Sequence, residues 1–201
     1  MSGIVGQNTL DNSGLIKAPA GGGAWNFIAK QTASASADIS FTSGIDSTYK
    51  EYIFTFKNLH QATDVAQLTF QTSTDGGSSY GVTCTSTFFY SAHGESGGGT
   101  GVHYWDVRDL AQSTDFQILS EDAGNDTDEN YAGYLHLFNP SSTTFVKHFM
   151  STVQSTQRTN YSSVIRAAGY FNTTSAIDAV QFKMSSGNTD AGDICLYGIS
   201  T

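Results

Sequence analysis

From Ala24 onward, apolar and polar residues alternate with a period of two, and turn-forming residues interrupt the pattern about every ten positions. That rhythm belongs to the strands of a β-sandwich or barrel. The clearest strand runs over residues 52–59, where Tyr52, Phe54 and Phe56 share one side and Thr55 and Lys57 lie on the other, which assigns the aromatic side to the core. Over 65–73, Ala66, Leu68, Phe70 and Thr72 alternate with Gln67, Thr69 and Gln71. The Asp75-Gly76-Gly77 that follows tolerates positive φ and predicts a hairpin into a strand over 82–88.

Further strands are expected over 25–31, 39–41, 102–105, 116–119, 131–139, 144–154, 163–171, 179–184 and 193–199, with Asn139-Pro140-Ser141-Ser142 at the tip of a second hairpin. Roughly ten to twelve strands exceed what one twisted sheet holds before it splits. The expected fold is therefore all-β, a two-sheet antiparallel β-sandwich over residues 24–201. Residues 1–23 differ: Gly3, Gly6, Gly14, Pro19 and Gly21-Gly22-Gly23 punctuate them and no periodic pattern survives. They read as an extended N-terminal arm. Its apolar residues Ile4, Val5, Leu10, Leu15 and Ile16 are more than a solvated tether needs, so the arm is expected to bind a partner subunit through them; the alternative is a frayed tail that happens to carry aliphatics.

A length of 201 residues suits one sandwich domain, and an aromatic content of 12% is enough to fill its interior. Only 13% of residues are charged, about half the usual share, so the surface is rich in hydroxyls and amides. Nine Lys and Arg against eighteen Asp and Glu give a net charge of −9, which opposes binding to nucleic acid and to anionic membranes. No apolar run approaches the roughly twenty residues of a membrane helix, and the first residues lack a signal-peptide pattern, so synthesis in the cytoplasm is expected. Cys84 and Cys195 stand far apart with no C-x-x-C spacing; buried, reduced thiols are expected.

Candidate chemistry is sparse. Glu121, Asp122, Asp126, Asp128 and Glu129 crowd one loop, and Asp126, Asp128 and Asn130 have the D-x-D-x-N spacing that opens many calcium loops. Tyr131 stands where such a loop needs Gly and Leu137 where it needs Glu, so the expectation is a solvated acidic loop, with Asp126, Asp128 and Asn130 as a weak calcium candidate and no other cofactor. His60, His93, His103, His136 and His148 come without a G-x-S-x-G nucleophile or an H-E-x-x-H array. They read as structural, although the second hairpin could bring His136 near His148. Trp25, Trp105 and Tyr104 could form a sugar-stacking platform, against a reading as ordinary core aromatics. The glycine tracts 21–23 and 97–99 lack the context of phosphate loops. No catalytic site is expected.

The C-terminal stretch Ala179-Val-Gln-Phe-Lys-Met-Ser-Ser-Gly-Asn-Thr-Asp-Ala-Gly-Asp-Ile-Cys-Leu-Tyr-Gly-Ile199 resembles a terminal hairpin of bacteriophage virion proteins, an alternating strand leading through Ser-Gly-Asn into Gly-x-Ile-x-Leu-Tyr-Gly. The segments 41–52 and 136–145 are likewise similar to structural proteins of marine tailed phages, and the matches span most of residues 24–201. The resemblance implies a jelly-roll-like sandwich displayed on a virion, as capsid decoration or cement or as a small fibre or knob, anchored by its arm to other capsid or tail proteins. It implies a homo-oligomer, with a trimer favoured. No coiled-coil heptads are present, which speaks against a complete long tail fibre. The alternative is a carbohydrate-binding or host-receptor-binding tip domain of a tail fibre.

Overall fold

The structure, a computed structural model, describes residues 24–200. Twelve strands form among them: β1 (Trp25–Thr32), β2 (Ile39–Phe41), β3 (Glu51–Gln61), β4 (Leu68–Ser73), β5 (Cys84–Gly94), β6 (Gly101–Tyr104), β7 (Gln117–Ile118), β8 (Tyr131–Phe138), β9 (Lys147–Gln157), β10 (Tyr161–Phe171), β11 (Ala179–Met184) and β12 (Thr189–Ile199). They make two antiparallel sheets, an eight-stranded one ordered β1-β12-β3-β8-β9-β10-β5-β6 and a four-stranded one ordered β2-β11-β4-β7.

Four nested pairs organise this order: β1 with β12, β2 with β11, β3 with β8, and β4 with β7. Going inward through the nest, pairs fall alternately in the large and the small sheet. That is the jelly-roll arrangement, which closes a sandwich by wrapping one long hairpin around itself. The added strands β9, β10, β5 and β6 all widen the large sheet, so it projects well beyond the small one.

Alternation decides which side chains enter the interior. Tyr52, Phe54 and Phe56 of β3 are buried as their spacing predicts. Phe70 of β4 sits at the centre, its ring 5.0 Å from Phe149 and 5.6 Å from Phe171, edge-on to both, and 6.2 Å from Phe182. The outer side of β4 is covered as well. Gln71 lies there fully buried, its amide donating to the carbonyls of Thr114 and Asp115, because the chain between β6 and β7 folds over this sheet.

The second predicted hairpin forms, joining β8 to β9 with Leu137 opposite Phe149 and Asn139 at φ 46° opening the turn. The first does not. β4 belongs to the small sheet and β5 to the large one, and segment 74–83 carries the chain between them. The turn signal itself is sound: Gly76 and Gly77 take φ 71° and 85°. Such residues specify a local reversal, not the strand that pairs afterwards.

Candidate binding face

The strand registers align the outward side chains of the large sheet in transverse rows. The row at one end reads Trp25, Ile199, Glu51, Phe138, His148 and Tyr170 from β1 to β10. The second reads Phe27, Tyr197, Ile53, His136, Met150 and Ala168. The third passes Lys30, Cys195, Thr55, Tyr134, Thr152 and Arg166 and ends at Phe89 and Tyr104. Beyond it come Asp193, Lys57, Ala132, Gln154, Val164, Ser91 and Val102, a mixed row in which polar side chains outnumber apolar ones. Aromatic side chains thus concentrate at the end where β1 begins.

Much of this apolar end stands in solvent. Trp25 is 52% exposed, Phe27 61%, Met150 57% and Tyr104 63%. A solvated sheet face normally shows polar side chains, so this contiguous aromatic patch is a candidate contact surface. The rings are already ordered: Tyr197 lies 5.5 Å from Trp25 and 5.8 Å from Phe27, and His136 lies 5.3 Å from Tyr134 and 6.0 Å from Phe138. Ile53, flanked in the register by Tyr197 and His136, is sealed beneath them at 1% exposure.

Between β8, β9, β10 and β5 the face sinks into a groove of about 430 Å³ lined by Phe89, Tyr134, His136, Phe138, Met150 and Arg166. Glu51 takes the Nδ1 side of His136 as its partner, which fixes that ring at the groove's edge. Arg166 is exposed and has no ion pair or side-chain hydrogen bond among the described residues. The arrangement can grip an apolar, flat-sided partner, and the guanidinium can take one carboxylate from it.

The sequence candidates distribute differently. Ile4, Val5, Leu10, Leu15 and Ile16 lie outside the described residues. Asp126 and Asp128 are exposed on their loop, and the loop is closed by protein contacts: Glu129 accepts from the Asp126 backbone N–H at 3.0 Å, and a His60 ring nitrogen meets the Asp126 carbonyl at 3.1 Å. Tyr131, at the sixth position of the half-motif, is instead a core residue whose hydroxyl contacts the Ala66 and Glu121 carbonyls, and burial pushes its pKa up to about 12. No group of three or more His, Cys, Asp or Glu side chains is placed to hold a metal ion among the described residues. Cys84 and Cys195 are free and buried, and burial pushes the Cys84 thiol up to about 12, leaving it protonated and inert at neutral pH.

His136 and His148 do share the outer face, on adjacent strands and in neighbouring rows. The three-aromatic platform does not form. Trp25 and Tyr104 sit on opposite edge strands, seven spacings of ~4.8 Å or ~34 Å apart. Trp105 packs inward against Phe88 and Tyr90 with Arg108 over its ring at 4.8 Å. What sequence reasoning missed is the groove itself. Its only signal was that β8 and β9 are apolar on both sides, Tyr134, His136, Phe138 and Met150 interleaving with Leu135, Leu137 and Phe149. The fold defines the class, a jelly-roll β-sandwich with an enlarged sheet. Compared with known protein families, curated proteins and solved structures, the chain matches none.

Proposed function

We propose that this chain is a non-catalytic structural subunit of a tailed-phage virion, a surface-displayed capsid decoration or small fibre knob that assembles with copies of itself and other virion proteins. The observation that carries the assembly half of this reading is the aromatic end of the large sheet, where Trp25, Phe27, Tyr134 and Met150 stand exposed on one face of an acidic molecule. The virion half rests on the resemblance of 41–52, 136–145 and 179–199 to phage structural proteins, and jelly rolls serve in viral shells. Burial of the apolar rows supplies the attraction, and the net charge of −9 opposes it. Mass spectrometry of purified particles from an infected host tests it: the chain is expected at a fixed copy number per particle, and its absence from particles while abundant in the lysate contradicts the reading.

A second reading has one specific observation behind it. The groove combines Tyr134 and Phe89 with Arg166, which has no ion pair among the described residues, a combination that also suits an acidic sugar, and jelly rolls serve as lectins. A receptor-binding tip would then bind glycans as the isolated chain. An array in which Tyr134→Ala abolishes a signal supports this reading, and an array blank at high protein concentration removes it.

A further inference from the structure

The groove and its apolar rows need an occupant, and we propose that it is the N-terminal arm of a neighbouring copy, exchanged between subunits. This rests on the assembly reading above. Three observations favour the arm over any other part of a second copy. First, the arm is the neutral part of the chain: Asp11 and Lys17 are the only charged side chains in residues 1–23 and cancel, so the whole −9 lies on residues 24–201. Laying one sandwich face directly on another brings two strongly like-charged bodies together, whereas the arm brings aliphatic side chains at no charge cost.

Second, the arm starts in the right place. Trp25, the first residue of β1, belongs to the end row of the face, so the chain enters the sheet at its apolar end. Third, the reach fits. Ile4 to Ile16 precede Ala24 by 8 to 20 residues, which at ~3.3–3.6 Å per residue spans roughly 26–72 Å, so the distal residues can reach farther than the ~34 Å breadth of the large sheet. Asp11, between Leu10 and Leu15, supplies the carboxylate that Arg166 lacks.

The test uses the full-length chain. Leu10→Cys or Leu15→Cys is combined with Met150→Cys, oxidised mildly and run on a non-reducing gel; buried Cys84 and Cys195 keep the wild type blank. Cross-links between chains, building a ladder that closes at the size of the native oligomer, are expected. In parallel, Leu10→Asp/Leu15→Asp is expected to reduce the mass by light scattering to that of one chain that still unfolds cooperatively on heating. Cross-links confined within single chains overturn the exchange, as does a double-Asp variant that stays oligomeric. Such a variant leaves the assembly reading standing, whereas a wild type that is monomeric throughout removes the assembly reading first.

Discussion

At the scale of single residues, this chain uses small polar side chains as fasteners. Asp75 is the fullest case: its carboxylate accepts from the Ser73 hydroxyl at 2.6 Å, the Ser79 hydroxyl at 2.6 Å and the Ser79 N–H at 2.9 Å, and these bonds hold its pKa down at about 2. Because an Asp in an unfolded chain titrates near ~3.9, the native state binds fewer protons between the two values. The stability it contributes is complete above about pH 4 and is lost as pH falls through about 2. Thermal unfolding of Asp75→Asn is therefore expected to fall below wild type at pH 7, and the gap to narrow as pH drops from about 4 towards 2; a gap as wide at pH 2 as at pH 7 contradicts the assignment. The signal for this turn was legible in Asp75-Gly76-Gly77. Its three serine bonds were not, since they depend on how 78–79 folds back.

At the scale of strands, period-two alternation placed nearly every element, because a strand half-buried in a sandwich must alternate whatever its neighbours are. Pairing was less legible. The Asn139 hairpin followed from local turn chemistry, while the step from β4 to β5 across the sandwich followed from the nested wrapping of distant strands, which no short segment encodes. The face of β8 was ambiguous for a related reason: with Tyr134, His136 and Phe138 against Leu135 and Leu137, either side could be the core. Only the presence of the small sheet beneath Leu135 and Leu137 decides it. Close contact between strands also constrains glycine. A Cβ added at Gly169 of β10 would lie 2.3 Å from the Thr85 carbonyl oxygen and 2.9 Å from the Phe149 ring. Neither the β5 backbone nor the central Phe cluster can yield cheaply, so Gly169→Ala is expected to cost about 1–3 kcal/mol in chemical denaturation. An unchanged midpoint would mean that β5 and β10 are less tightly joined than their register indicates.

At the scale of the whole molecule, two opposed properties set the behaviour: an apolar sheet end that favours contact, and a charge of −9 that resists it. The enlargement of the jelly roll concerns only the large sheet, which leaves a broad face that no other described part of the chain covers, while the outer side of β4 in the small sheet is covered by the chain between β6 and β7. Nothing in the alternation pattern announces this asymmetry, because exposure of a sheet face is a property of the assembled layers. The most direct test is sedimentation velocity of the full-length chain beside Met150→Arg, a change at a 57% exposed side chain that the fold can tolerate. The wild type is expected to sediment as a homo-oligomer and Met150→Arg as a single chain that still unfolds cooperatively on heating. A monomeric wild type, or a Met150→Arg variant that sediments with it, would contradict the claim that this face is where the molecule is joined to others.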